Sequence, residues 1–460
     1  LNSNPVSRVV RVAIVGGGPR GLWAVEELAR VASAQNLSCE VTIFDPQQLG
    51  RGAAYSLDQP AYYLLNVEAD RVATGWGLLN KFRRQVLGET DPLTTFPPRR
   101  TVGLFFHFSW QHLLANLPTG FTVRHVQQRV TDISQLIDYD AVLSVTGHNP
   151  LPNGDGVLRS YGDLSAVAAG SSVALRGAAL SCIDTVLALT LGRGGNFSGA
   201  TYKPSGFEPA TMMPFSRSGR FIQVKPPQPT ESELGLLEKF KAPLAHVTTG
   251  AELRAVIIEA ASALHGVPLT WEDSLSTLPA EELMRVSLLS ERLPQQSFGM
   301  VWKNLYPQII TRVSLGGLAL DRTLRETIGH LKPLTFGAPA AQMHRMLGLV
   351  EAGILDLSMM DRAQDIKADY LIDTVQSPAG LAEGSFNETL ARASDADISQ
   401  GYLRTDERGF VGTSSRWAAA GRVTEPYVLG NDTVSRHNHS IIPAWAEAVG
   451  GLAGSQRAAS

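Results

Sequence analysis

Cysteine is almost missing from this sequence: among 460 residues only Cys39 and Cys182 occur. Two thiols cannot build a disulfide framework or a cysteine-rich zinc site. Because they never form a C-x-x-C pair, they do not make a dithiol centre of the disulfide-reductase kind. Cys182 is expected as a small core residue, and the chain as a cytoplasmic protein of a reducing compartment. Charge is scarce too. The 40 Lys+Arg and 43 Asp+Glu nearly cancel to a net charge of −3, and charged residues make up 18% of the chain. Without clustered Lys and Arg, neither nucleic acid nor an anionic membrane is expected as a partner. No apolar run reaches the roughly 18 residues that span a bilayer. Leu1-Asn2-Ser3-Asn4-Pro5 has no basic segment followed by an apolar one, so no signal peptide is expected. The Gly-x-Ser-x-Gly elbow and the His-Glu-x-x-His motif are absent, and no metal site is expected.

What is present is a globular composition, 44% hydrophobic, long enough for two or three domains. Val9 to Val15 reads as a buried strand, since β-branched residues dominate a short apolar run. It runs into Gly16-Gly17-Gly18-Pro19-Arg20-Gly21 and a helix with Leu22, Val25, Leu28 and Ala32 at helical spacing. A second strand, Glu40 to Phe44, ends in Asp45. This strand, G-x-G-x-x-G, helix, strand and acid together point to dinucleotide binding. Gly16 permits the tight turn, Gly18 lets a pyrophosphate approach the backbone, and Gly21 lets helix and strand pack closely. Asp45 would accept from ribose hydroxyls, and the helix N-terminus would face the phosphates.

The pattern has an echo. Asp140 to Val145 is another buried-strand pattern, ending in Thr146-Gly147-His148-Asn149-Pro150. Ser172 to Arg176 then leads through Gly177-Ala178-Ala179-Leu180-Ser181-Cys182 to a helix over Ile183 to Leu189, and Ala368 to Val375 parallels Asp140 to Thr146. The fold class expected is α/β: two interleaved Rossmann-like, doubly wound, three-layer nucleotide-binding domains with a helical insertion. Residues 1–165 would be the first part of one domain, 166–375 the second domain with an insertion at about 228–352, and 376–460 the return to the first. In the insertion, Leu253, Val256, Ile257, Ala260 and Leu264 form a stripe stopped by Gly266. Leu283, Val286, Leu289 and Leu293 form another ended by Pro294, and Gln342 to Val350 is a third. Pro226 to Thr230 would be a stiff entry linker. A lid over the site and an oligomer surface are both open for this insertion.

Gly16 to Gly21 with Asp45-Pro46, Gly52-Ala53-Ala54-Tyr55, Leu64-Leu65-Asn66-Val67, Pro98-Arg99, Thr146-Gly147-His148, Arg176-Gly177, Phe221 to Pro227 and Leu334 to Pro339 carry a resemblance over most of the chain. It resembles the bacterial FAD/NAD(P)-binding flavoprotein family, related to flavin-dependent N-hydroxylating and Baeyer–Villiger monooxygenases. The resemblance implies FAD held by Gly16, Gly18, Pro19, Arg20, Gly21 and Asp45, with Thr146 and Gly147 returning the chain beneath it. It implies a third FAD element in Tyr427 to Asp432, an apolar strand ending in Gly430-Asn431-Asp432. A helix over Ile442 to Val449, with Pro443 in its first turn, would follow. Asn431 shifts the carboxylate by one residue, so Asp432 is either a cofactor contact or a turn residue.

Arg176 and Gly177 would begin a second site for NADPH or NADH. There Ala179 and Cys182 replace two expected glycines, and the competing reading is a domain that binds no nucleotide. Asn66 and Arg99 are candidates near the flavin, against a satisfied amide and a surface ion pair. His437 and His439 are catalytic candidates as proton donors beside the flavin, against a polar turn. The function implied is an NAD(P)H-dependent monooxygenase acting on a small molecule such as an amine or amino acid. An FAD-dependent dehydrogenase or oxidase, and a non-enzymatic flavin-binding redox protein, are the alternatives. An oligomer is possible.

Overall fold

The computed structural model describes residues 8–149, 157–289, 291–425 and 427–455. The leader reading of Leu1 to Pro5, and Pro150, lie outside them. The first glycine turn sits as the sequence predicts, between strand β1 (Val10–Val15) and helix α1 (Pro19–Gln35), with β2 (Cys39–Phe44) next. After α2 (Arg99–Ala115) come β3 (Phe121–Val126) and β4 (Ala141–Ser144). The second unit begins with β5 (Leu158–Arg159), β6 (Ser172–Arg176), α3 (Leu180–Leu189) and β7 (Thr211–Phe215). The insertion holds α4 (Gly250–His265), α5 (Ala280–Ser287), α6 (Pro294–Asn304), α7 (Tyr306–Val313), α8 (Arg322–Thr335) and α9 (Ala340–Glu351), among shorter turns. The chain returns through β8 (Tyr370–Asp373), α10 (Phe386–Ala393), β9 (Trp417–Ala419) and α11 (Ile441–Ser455).

Two parallel sheets result, ordered β9-β4-β1-β2-β3 and β5-β8-β6-β7. Apart from exposed Arg11, strand β1 is buried on both faces, as parallel sheets require. Val12 and Ile14 pack with Leu22 and Val25 of α1, Phe105 of α2 and Trp445 of α11. Ala13 and Val15 pack with Phe386 and Leu390 of α10 on the other face. These are the three layers of a doubly wound domain. The second sheet already includes Leu158–Arg159, within the 1–165 stretch that the sequence reading gave to the first domain.

The insertion has its own core, with α6 in its middle: Phe298, Met300, Val301 and Trp302 are fully buried. Burying each such side chain is worth about 1.5–3 kcal/mol, so tertiary packing carries this helix. Its polar flank, Gln295, Gln296, Ser297 and Lys303, is buried as well, which is why no amphipathic stripe announced it. Pro294 is therefore a correction: it opens α6 at the first helical turn. The stripe expected to run to Leu293 ends with α5 at Ser287, and Leu289 is 65% exposed. The C-terminal return is also corrected. Tyr427 to Leu429 is not a strand; the parallel return strand is Trp417–Ala419, running into Ala420-Gly421. Leu429 instead plugs the core of the insertion and Val428 that of the first domain.

Candidate functional site

From β1 the chain winds to β2 and β3 on one side, and β4 and β9 lie on the other. The crevice for a ligand is therefore at the carboxyl ends of β1 and β4. Gly16 (φ +118°), Gly18, Gly21, Asp45, Thr146, Gly147 and Gly421 end the strands or open the helix there. A Cβ on Gly16 would strike the Val145 carbonyl, and one on Gly21 the Gly16 carbonyl, so these two glycines serve close packing. Gly18 differs. Its φ of −74° suits any residue, and an added Cβ would meet nothing nearer than Gly52 at 3.6 Å. The space before Gly18 is open. Helix α1 carries no side-chain cap and has Pro19 in its first turn, leaving its first amides for an anion. Asp45 is fixed by the Gly17 N–H at 2.7 Å and the Gln47 N–H at 2.8 Å. Its remaining lone pairs are available to hydroxyl groups. Thr146 accepts from Asn387 at 3.0 Å, and Gly147 (φ +77°) has open space around it.

Arg20 turns away from this cradle and donates to the Asn431 and Thr433 carbonyls. Asn431 donates from its side chain to Thr424 Oγ1 at 2.7 Å. Gly430 (φ +80°) makes the turn, its Cα face against Ile310 and Tyr306 of α7. Asp432 accepts from Lys332 of α8 at 2.9 Å, and Lys332 also pairs with Glu425. Burial pushes the Glu425 carboxyl up, with Asp432 adding to it; burial works on Asp432 too, but Lys332 outweighs it and holds that carboxyl low. Around this cluster the Arg422 Nε, Glu425 Oε2, Tyr306 hydroxyl and His439 Nε2 are shielded from solvent without a hydrogen-bond partner. Such orphans are rare in finished cores and mark where a ligand or water belongs. The open cradle, the uncapped helix and these orphans fit a bound dinucleotide.

Burial, with Arg20 nearby, pushes His439 down to about 4. The ring is neutral near pH 7, which removes it from the range in which the sequence reading had it exchange protons. His437 is exposed beside Glu27, Thr74 and Gly75. Both histidines line the same cavity, His437 exposed and His439 half-buried. His148, beside Arg422, is likewise pushed down to about 4, chiefly by burial.

The second crevice repeats the first in register. The Gly16 N–H donates to Phe44 O at 2.9 Å, and the Gly177 N–H donates to Phe215 O at 2.9 Å. Gly177 has φ +109°, and a Cβ there would meet Thr374 Oγ1 at 2.6 Å. Ala179 caps α3 with φ −107°, a backbone that needs no glycine. Arg176, a candidate for the second nucleotide site, pairs with buried Asp373, which Arg159 also pairs. Nearby, the Arg193 guanidinium holds the Leu164, Val167 and Phe207 carbonyls.

Arg99 joins the two units. It pairs with buried Asp184 of α3, donates to the Tyr161 hydroxyl at 3.3 Å, and lies against the rings of Tyr63 and Tyr161 at 5.1 and 5.3 Å. Asn66 donates to Phe336 O at 3.2 Å, and its own carbonyl accepts from Lys225 at 2.9 Å. Lys225 belongs to a buried group with Glu68 and Lys303 of α6. Burial pushes Lys225 down to about 8, although Glu68 opposes it. Sequence reasoning missed Glu68, Lys225, Lys303, Lys332, Arg422 and Glu425, because lone charged residues gain meaning only when folding removes their solvent. Gly421 had a signal: Trp417-Ala418-Ala419-Ala420-Gly421 is a strand of small residues ending in glycine.

Residues 13–158 match the FAD-NAD(P)-binding family model. The matched stretch is similar to an FAD-NAD(P)-binding domain. It spans the first glycine turn, Asp45 and Thr146-Gly147. An L-aspartate N-monooxygenase (nitrosuccinate-forming) of Streptomyces davaonensis is 27% identical over 286 residues, 45% of this chain and 43% of that relative. A nitrosuccinic acid synthase of Aspergillus oryzae is 28% identical over 260 residues, 45% of this chain and 40% of that relative. The matches thus span about two-fifths of the length of these curated relatives. The reduced form of ornithine hydroxylase from Pseudomonas aeruginosa shares the fold, with TM-score 0.51 and 15% identity over 98% of this chain and 100% of that one. Among the described residues, no helix is long and apolar enough to cross a membrane, and no group of three His, Cys, Asp or Glu could hold a metal ion.

Proposed function

We propose that this chain is an FAD-dependent, NAD(P)H-using monooxygenase that acts on a small amine or amino acid. The observation that carries the reading is the repeated crevice: two glycine turns, each closed by the same hydrogen bond to the neighbouring strand, in one chain. One crevice would hold FAD and the other the nicotinamide that reduces it. The names of the relatives favour an amino acid with an acidic side chain as substrate. The first amides of α1 and the space at Gly18 would hold the pyrophosphate, and Asp45 would accept from the ribose. Asn431 and Asp432 would border the flavin, with Arg20 fixing the backbone on which they sit. FAD when bound supplies the redox and oxygen chemistry. The chain orients it, and the insertion, packed onto Gly430 through Tyr306, excludes water. The chain through β4 and from 376 onward would make the FAD unit, and 158–375, beginning with β5, the nicotinamide unit. We expect a cytoplasmic enzyme, possible as an oligomer.

The test is anaerobic. NAD(P)H should bleach the bound flavin, and air with L-aspartate should yield an N-oxygenated product by mass spectrometry. Bleaching by substrate alone would instead make it a dehydrogenase or oxidase. Ala179 and Cys182 favour that second reading, because they replace glycines of the nucleotide turn. Bleaching by neither would leave a flavin-binding redox protein.

A further inference from the structure

We propose that a water passage joins the first crevice to solvent beside the opening of α11, and that His439 is the positioning residue that holds its inner water. The inference rests on reading the first crevice as the flavin site. N-oxygenation of an amine by NAD(P)H and O2 takes up one proton and releases one water for each product: RNH2 + O2 + NAD(P)H + H+ gives RNHOH + NAD(P)+ + H2O. The insertion closes the crevice on the side of Gly430 and Tyr306, so proton and water have to cross elsewhere.

The passage has two parts. The outer part is an open cavity of about 460 Å³ walled by Glu27, Thr74, Gly75, Arg436 and His437. The inner part is a cavity of about 30 Å³ bounded by Arg20, Trp23, Ala420, Asn431 and Ser435, room for about one or two waters. His439, Glu27, Arg436 and Pro443 line both and form the threshold between them. The inner end touches the crevice: Ala420 follows β9, and Arg20 lies against Gly421, where an added Cβ would stand 3.6 Å from Arg20 Cδ. Two polar groups of this inner cavity lack a partner. One is the shielded His439 Nε2, and the other is the Ser435 hydroxyl, which makes no hydrogen bond among the described residues. The Leu429 and Gly430 carbonyls accept from the His439 ring, so the neutral ring carries its hydrogen on Nδ1 and offers Nε2 as an acceptor. A water that donates to His439 Nε2 and accepts from Ser435 Oγ satisfies both. His439 therefore serves without titrating: it lends a lone pair, and the waters carry the proton. Arg436, on the threshold, is held by Glu26 and Glu27 and does not repel that proton.

Light-driven anaerobic reduction of the FAD-loaded full chain tests this without substrate or nicotinamide, because reducing the flavin draws a proton from the medium that an indicator dye reports. His439→Ala should slow proton uptake about tenfold or more, and added imidazole should restore it; His439→Gln, which keeps an acceptor oxygen, should stay within about threefold of the unaltered chain. A crystal structure of the FAD-loaded chain, which needs no variant, should show a water about 3 Å from both His439 Nε2 and Ser435 Oγ. Unslowed uptake in His439→Ala, slowed uptake that imidazole does not restore, a His439→Gln variant as slow as His439→Ala, or an inner cavity without that water overturns the inference alone. A chain that binds no FAD overturns the flavin reading and the inference with it.

Discussion

Glycines 16 and 18 are two residues apart and do different work, and a single methyl group separates them. At Gly16 the backbone is left-handed and a Cβ collides with the Val145 carbonyl. Gly16→Ala should destabilise the fold by about 2 kcal/mol or more, read as a lower urea midpoint. At Gly18 the backbone is ordinary and the space ahead is empty. Gly18→Val should leave the urea midpoint of the flavin-free chain nearly unchanged while the purified protein loses its yellow colour; full FAD occupancy would refute the cradle. His439 is a residue whose value lies in pH. Its pKa is about 4 in the folded chain against about 6.5 when unfolded. Between those values the unfolded chain binds the extra proton, so this contribution is fully present above pH 6.5 and is lost as pH falls toward 4. His439→Gln should flatten part of that slope in urea midpoints; His148 contributes in the same direction, and a variant with the wild-type slope would contradict the burial argument.

At the scale of elements, α8 reaches from the insertion to the C-terminal turn through one ammonium group. Lys332 there offsets Glu425, whose side chain is 8% exposed. Lys332→Met removes the closer of two cations from a buried carboxylate and leaves it only Arg422 Nη1 at 3.7 Å, at about 3 kcal/mol in chemical denaturation. The double variant Lys332→Met/Glu425→Gln should recover most of the loss; no recovery would mean the pair is not the source. The elements that the sequence displayed were those with a one-dimensional signature. The strand, glycine turn and helix from Val10 to Gln35 have a period and punctuation that survive without neighbours. The α4 stripe, stopped at Gly266 (φ +85°), is of the same kind. The segment from Tyr427 to Leu429 looked equally apolar but has no strand to pair with, because β9 already occupies the place beside β4.

At the scale of the whole molecule, Arg99 and Asp184 bind the first unit to the second. The pair is buried on the aspartate side, and the guanidinium is flanked by two tyrosine rings. Arg99→Ala should cost about 3 kcal/mol, more than an exposed ion pair, whose worth is about 0–1 kcal/mol. A double-mutant cycle with Asp184→Asn should give a coupling above about 1 kcal/mol; a value near zero would mean the two units are held by apolar contact alone.

The sequence by itself determined the α/β class, the first dinucleotide turn with its acid, and the second turn that echoes it. Those features rest on local rules: where a glycine is required, which period a buried strand or helix shows, and what a helix end attracts. Tertiary structure alone decided which charges meet. Arg176 turned to Asp373, Arg99 to Asp184, and Lys332 to Glu425 and Asp432, across 197, 85, 93 and 100 residues of chain. Exposed charges gain little from a partner, whereas buried ones must find one. The partner is chosen by whatever packing brings within reach, and no spacing along the chain records it.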